Sequence, residues 1–430
     1  MTTALEAGLL ARSLVAALYA GTVASHTALQ RRFASQHGRR AAVPERRDRP
    51  QVDVIVPILN EAPDLLEACC ESLLAQDYQP IEVFLVDDGS DNFDALEPLY
   101  QRYGRLPGWT FVARDRRVGK RNAQDAAFQL GRGEFVLTID SDTVIYPDTI
   151  QKLVNEAIDK RVGAVTGNVR ALNPGASRLA WLVNWRYALL FDQERAAHAR
   201  FQAVLCCTGP LSLYRRTAIE EIWEDYLRQT FMRRVCVFGD DLHLTNLLLA
   251  RGYEARYAPK AKALTEVPTR LGRYFRQQVR WHRSFYRELH WTFRALRGHR
   301  QGAKASAYLW FDVLARGLMP LLLAGGLLLG VADGLLDRSW LLADAAMLGV
   351  MTTTSAALAF WQTRNLDLPD RPPSWRDGVR LVLLYGLVHL GLLVAARVWA
   401  LLTLRKNAWG TRQAPAGSLA PSLCAQGVAG

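Results

Sequence analysis

The placement of long apolar stretches limits what this chain can fold into more than any other feature. A mainly apolar stretch from Ala7 to Leu29, broken by Arg12 and His26, precedes a run of arginines, and three more follow at 308–331, 339–361 and 379–403. About 20 apolar residues cross a hydrocarbon core, so each stretch is long enough for a membrane helix. The first has the length of a signal-peptide core, but no small-residue cleavage site precedes the arginines. It is read as one membrane helix over residues 1–30. Arg316 and Arg397 lie inside two later stretches, where each needs a partner or an interfacial position.

Charge gives the orientation. Arg31, Arg32, Arg39, Arg40, Arg46, Arg47 and Arg49 follow the first stretch and belong on the cytoplasmic side by the positive-inside rule. The loop "VADGLLDRS" suits the outside, and the loop carrying Arg364, Arg371, Arg376 and Arg380 suits the inside. The expected plan is a basic cytosolic linker at 31–50, a cytosolic domain at 51–300, and membrane or re-entrant helices at 305–404. A loop at 405–413 and a disordered Ala/Pro/Gly/Ser-rich tail at 414–430 complete it. This describes a multi-pass plasma-membrane protein. The net charge of +12 favours acidic partners such as nucleotides, phosphates or anionic lipids, without choosing among them. Cys69-Cys70 and Cys206-Cys207 are adjacent pairs with no CxxC spacing, which fits neither a zinc site nor a disulfide framework.

Within 51–300 the pattern alternates. "VDVIVPILN", "IEVFLVDDGS", "FVLTIDSD" and "VGAVTGNVR" read as strands separated by helical segments such as "APDLLEACCESLLAQ". Strand–helix alternation predicts an α/β domain with a mostly parallel, Rossmann-like sheet. Ligands of such sheets bind beyond the carboxyl ends of the strands. Asn60, Asp87, Asp88, Asp140 and Asp142 all fall at such ends.

Asp140-Ser141-Asp142 places two hard oxygen ligands one residue apart, a spacing suited to holding Mg²⁺ or Mn²⁺ against a diphosphate. A solvated strand end or a helix cap is the alternative. Asp87 and Asp88 suit a base or ribose, while Lys120 and Arg121 in "GKRNA" are cations suited to the same nucleotide. Asp240-Asp241 can be an acid pair at a helix start or the source of a general base. In "RYFRQQVRWHRSFYREL", Gln277, Arg280 and Trp281 form QxxRW, where the guanidinium can grip a diphosphate and the indole can stack on a sugar. The rest of that segment, about 273–297, reads as an amphipathic helix at the cytosolic membrane interface. Residues 177–196 read either as a second interfacial helix or as a buried core helix.

The ordered series "VPILNE", "VDDGS", "GKRNA", "DSD", "CCTGPLSLYRR", "FGDDLHLTN", "RQQVRW" and "NAWGTR" resembles processive family 2 glycosyltransferases with a GT-A domain. It is most similar to hyaluronan synthases and also to NodC-type chitooligosaccharide synthases. The resemblance spans about residues 52–412. It implies an inverting enzyme that polymerises UDP-sugars on the cytosolic side and passes a β-linked polysaccharide across the membrane. It implies Asp241 as general base beside Asp240, with Asp88 and Lys120 at the UDP. Asp140 and Asp142 would hold Mg²⁺ or Mn²⁺, and Trp409 and Arg412 would sit in a gating loop. The implied partners are UDP-GlcNAc, UDP-GlcA, the growing polysaccharide and the lipid bilayer; no nucleic acid is expected, and the protein is expected to act as a monomer.

Two departures divide the resemblance. Leu242 follows "GDD" where hyaluronan synthases carry a basic residue, and NodC-type enzymes read "GED" at that point. Hyaluronan synthesis from two donors is the main expectation and a GlcNAc homopolymer the alternative. A non-catalytic membrane scaffold or a transferase adding one sugar to a lipid is the reading from another class. A topological question accompanies them: if 379–403 simply crosses the membrane, the proposed gating loop falls on the wrong side.

Overall fold

The computed structural model describes residues 2–39, 44, 46, 48–298, 303–336, 357, 383–386 and 388–406. A long N-terminal helix, α1 (Thr2–Gly38), continues past the apolar stretch into the arginines that follow it. The α/β domain comes next: β1 (Val52–Ile58), α2 (Pro63–Leu74), β2 (Ile81–Asp87), α3 (Phe93–Tyr103), β3 (Trp109–Ala113), α4 (Lys120–Leu130) and β4 (Phe135–Thr138). After β5 (Thr143–Ile145), α5 (Thr149–Glu156) and β6 (Val162–Ala171) comes α6 (Arg178–Leu189). A π-helical turn at Leu190–Arg195 joins α6 to α7 (Ala196–Ala199). The domain closes with β7 (Ser212–Arg215), α8 (Arg216–Glu220), α9 (Trp223–Leu227), a small hairpin of β8 (Thr230–Phe231) and β9 (Arg234–Val235), α10 (Asp240–Ala250) and β10 (Glu254–Thr265). Beyond it lie α11 (Leu271–Gly298), α12 (Ala303–Leu336), a π-helical turn at His389–Val394 and α13 (Ala395–Leu402).

One eight-stranded sheet runs in the order β3-β2-β1-β4-β7-β6-β10-β5. The first four strands are parallel, as the alternating pattern predicts. The sheet as a whole is mixed, because β7 is antiparallel to both β4 and β6, and β5 is antiparallel to β10. This reversal positions the site. The loop that enters β7, Cys206–Leu211, arrives at the edge where the parallel strands β1, β2 and β4 end. Nearly every residue of β1, β2 and β4 is buried between helical layers, so their continuous Val, Ile, Leu and Phe content is core on both faces.

The helices outside the sheet divide by environment. Leu10, Leu14 and Leu18 on α1, and Leu314, Leu318 and Leu322 on α12, form exposed stripes at four-residue spacing. Ala307–Gly326 and Leu383–Leu402 are long and apolar enough to cross a membrane by length and composition. Apart from residue 357, the 339–361 stretch lies outside the described residues. By contrast, α6 is buried along Leu179, Leu182, Val183, Trp185 and Tyr187.

Residues 383–386 and 388–406 rest on α6 at one end and on α11 at the other. Tyr385 packs edge-on against Trp185 of α6, with ring centroids 4.9 Å apart. At the other end Arg283 donates to Thr403 Oγ1 at 2.7 Å, and Arg287 donates to the carbonyls of Leu404 and Lys406. Between them Ala396 and Ala400 pack on Phe275 and Val279 of α11. This stretch therefore lies along α11, and Lys406 emerges beside the α/β domain.

Candidate functional site

Three neighbouring strand ends and one helix start converge on one edge. After β1 the chain turns through Asn60, whose φ of 49° is left-handed, a conformation asparagine tolerates better than most residues. Its side chain accepts from Asp91 N at 2.7 Å and donates to Asp91 Oδ2 at 2.9 Å, tying the ends of β1 and β2 together. After β2, Asp88 accepts from the amides of Val118 and Gly119 at 2.9 and 2.8 Å. Burial raises the Asp88 pKa against the pull of those two amides.

After β4 come Asp140, Ser141 and Asp142. Ser141 Oγ donates to Glu61 Oε2 at 2.6 Å, and Thr265 Oγ1 donates to Asp142 Oδ1 at 3.0 Å, so β1 and β10 brace this turn from two sides. Lys120 Nζ lies 2.6 Å from Asp140 Oδ1 and 3.3 Å from Asp240 Oδ2. Burial opposes its charge, but these two carboxylates outweigh burial and raise its pKa.

Asp240 and Asp241 open α10, where the helix dipole favours negative charge. Gly239 precedes them at φ 82°, and a Cβ there would stand 2.9 Å from Ser284 Oγ of α11. Glycine thus lets the acid pair approach the QxxRW helix. Asp241 Oδ1 accepts from Leu242 N at 2.8 Å, and its Oδ2 accepts from Gly209 N at 3.3 Å. Cys206 Sγ is 3.7 Å from the same Oδ2. Burial and the charge of Asp240 raise the Asp241 pKa. Burial also opposes ionisation of Asp240, but Lys120 and Arg121 hold its pKa below the ordinary value. Two adjacent carboxylates with opposed shifts are a common signature of divided acid–base roles.

These groups line one cavity of about 1360 Å³. Asn60, Asp88, Lys120, Asp140, Asp142, Asp240, Asp241, Gln277, Arg280 and Trp281 all border it, so most of the residues singled out in the sequence meet in one place. Two do not border it. Arg121 is turned into the core, where it donates to the Tyr226 carbonyl at 2.8 Å and to Gln229 Oε1, and stacks over the Tyr226 ring at 4.9 Å. The Asp87 carboxylate is taken up by Ser90 N at 2.8 Å and Tyr100 Oη at 2.6 Å. Arg121 and Asp87, expected at the nucleotide, thus have core and turn partners instead of bordering the cavity. Trp409 and Arg412 lie outside the described residues.

The cavity extends beyond the sheet edge to the helices. Its inner end is bordered by Tyr19 and His26 of α1, Glu194 and Arg195 of the π-helical turn, and Arg316 and Met319 of α12. Here Asp312, fully buried, accepts from His26 at 2.8 Å, from His198 at 3.0 Å and from Arg316 at 2.5 Å. Arg316 also meets Glu194 at 2.6 Å, and Arg397 donates to the Arg316 carbonyl. Both arginines flagged within the apolar stretches thus have partners. The partners themselves are scattered along the chain, and no local sequence pattern announces them.

A parallel sheet edge bearing a DxD turn, a buried lysine and an acid pair at a helix start, all on one cavity, defines a GT-A glycosyltransferase. Residues 53–223 match the family described as Glycosyl transferase family 2. An N-acetylglucosaminyltransferase of Mesorhizobium japonicum is 38% identical over 85% of this chain and 83% of its own length. Another, from Sinorhizobium fredii, is 38% identical over 86% of each chain. The chain belongs to glycosyltransferase family 2 and is a hexosyltransferase. A mannosyltransferase of Pyrobaculum calidifontis, solved in complex with GDP-Man and Mn²⁺, shares the fold with a TM-score of 0.61 at 21% identity, covering 88% of this chain and 98% of its own.

Proposed function

We propose that this enzyme transfers N-acetylglucosamine from UDP-GlcNAc to the end of a growing β-linked GlcNAc chain at a membrane. The observation that carries this reading is the single cavity, which holds the DxD turn and Asp241 at one end and runs between α1 and α12 at the other. Its volume of about 1360 Å³ exceeds the ~300–1,000 Å³ of an ordinary small-ligand pocket, leaving room for an acceptor beside the nucleotide. The names of the relatives favour a GlcNAc homopolymer over the two-donor copolymer expected from sequence. UDP-GlcA has no such support.

In the proposed reaction Asp241 removes the proton from the acceptor hydroxyl as that oxygen attacks the anomeric carbon from the side opposite the diphosphate. A buried carboxylate with a raised pKa is a stronger base than a solvated one. The Gly209 amide and the Leu242 amide fix its two oxygens. Trp281, about one-third exposed at the cavity wall, offers an indole face to the acceptor. The donor set suits Mg²⁺ or Mn²⁺: Asp140 and Asp142 supply hard oxygens, and Asp140 already carries a cation in Lys120. When bound, the metal neutralises charge on the leaving diphosphate. The exposed leucine stripes of α1 and α12 support a lipid setting for the helices.

The test is product analysis. The purified full-length enzyme, given UDP-GlcNAc alone with Mg²⁺ or Mn²⁺, is expected to yield chitinase-sensitive oligomers. A product that forms only when UDP-GlcA is also present, and that hyaluronidase digests, would overturn the homopolymer reading.

A further inference from the structure

Lys120 is the first residue of α4, following Gly119 at φ 98°. Its ammonium is enclosed by Asp140 on one side and Asp240 on the other. Gly209 closes a third side: a Cβ there would lie 3.0 Å from Lys120 Nζ and 3.4 Å from Asp140 Oδ2. The lysine therefore holds the very carboxylate that a metal would use. Two cations cannot share one carboxylate oxygen without strong repulsion, and in a partly buried site water screens that repulsion little. A metal arriving alone would find few other ligands. Among the described residues, no group of three or more His, Cys, Asp or Glu side chains could hold an ion.

We propose that Lys120 is a resident counter-ion that keeps free divalent metal off Asp140, and that the donor's diphosphate draws it away. The metal then enters only with the nucleotide. This rests on the reading of Asp140 and Asp142 as the metal carboxylates. The diphosphate solves both difficulties together. Its oxygens give the ammonium a new anionic partner, and they supply the ligands that two protein carboxylates lack. The long, flexible lysine stem permits that transfer while α4 stays in place. Asp240 gains a second meaning here: it holds the ammonium in the cavity wall, within reach of the diphosphate.

The experiment measures Mn²⁺ binding by the loss of its free-ion electron paramagnetic resonance signal, using the purified full-length enzyme without sugar transfer. Wild type is expected to bind Mn²⁺ at least about tenfold more weakly alone than with UDP present. Lys120→Gln is expected to bind Mn²⁺ alone about tenfold more tightly than wild type and to lose most of the UDP dependence. Lys120→Arg retains the charge and is expected to retain the exclusion. Should Lys120→Gln fail to fold, Lys120→Met serves as the neutral variant. UDP-dependent Mn²⁺ binding in wild type, with metal-alone affinity unchanged in the neutral variants, would overturn the role of Lys120. No Mn²⁺ binding by wild type even with UDP would instead overturn the assignment of Asp140 and Asp142.

Discussion

At the sheet end of the cavity, Asp140 and Lys120 keep 30% and 15% of their side-chain surface exposed; at the helical end, Asp312 and His198 keep none. Both ends pair carboxylates with cations at hydrogen-bonding distance, but the surroundings give the pairs different work. A carboxylate that must take on a ligand keeps one face open and is held by a cation on a flexible stem. One that joins helices is enclosed and satisfied from several directions, here by groups from α1, α7 and α12. Charge in a cavity is therefore not by itself a sign of chemistry. Exposure and the number of fixed partners separate the two cases.

The contrast breaks most sharply at Asp241. Asp241→Asn is expected to lower sugar transfer by roughly 10²–10⁴-fold, the usual worth of a general base, with UDP affinity nearly unchanged. UDP release in the presence of acceptor and calorimetric UDP binding are the two measurements. Transfer near the wild-type rate would remove Asp241 from the mechanism.

Asp312→Asn is expected to act on the fold instead, because it removes the buried anion that His26, His198 and Arg316 share, leaving Arg316 with Glu194. Breaking such a pair typically costs about 3–5 kcal/mol. Thermal unfolding of the detergent-solubilised chain should drop clearly for Asp312→Asn and little for Asp241→Asn. Equal losses would mean that the two ends are not built differently after all.

The smallest effect is expected at Arg121. Arg121→Met should cost about 1–3 kcal/mol of stability through the orphaned partners of a buried side chain and leave UDP affinity within a factor of about two. A tenfold loss of UDP affinity would restore the role expected from sequence and show that the core contacts are incidental.

Arg121 also shows where sequence reading stops. Lys120 and Arg121 are adjacent in "GKRNA", but successive residues on a helix point about 100° apart. Lys120 faces the cavity, whereas Arg121 enters a polar chain through Gln229 to Glu288, which in turn accepts from His243 and Asn246 at 3.1 Å each. Asp87 and Asp88 differ for the related reason that neighbouring strand residues face opposite ways. The motifs at strand ends and helix starts were legible because chemistry there needs particular side chains at short spacing. The mixed sheet was harder to foresee, since "SLYR" in β7 carries no mark of its direction. The inner charge cluster was illegible altogether: His26 and Asp312 are 286 residues apart, and only the packing of α1 on α12 brings them together.

The π-helical turn at Leu190–Arg195 has a consequence for the register of everything after it. Within this turn Asp192 faces the sheet, where it accepts from Asn168 at 3.0 Å and pairs with Arg170, while Glu194 and Arg195 face the cavity. A π turn accommodates one more residue than the regular helix, so it acts as a phase shift between α6 and α7. Wound as regular α-helix, the same residues would rotate α7 by about 100° relative to α6. His198 would then turn away from Asp312, and Arg316 would lose Glu194. One inserted residue thus keeps the helix in phase with two different surroundings, the sheet before the turn and helices α1 and α12 after it.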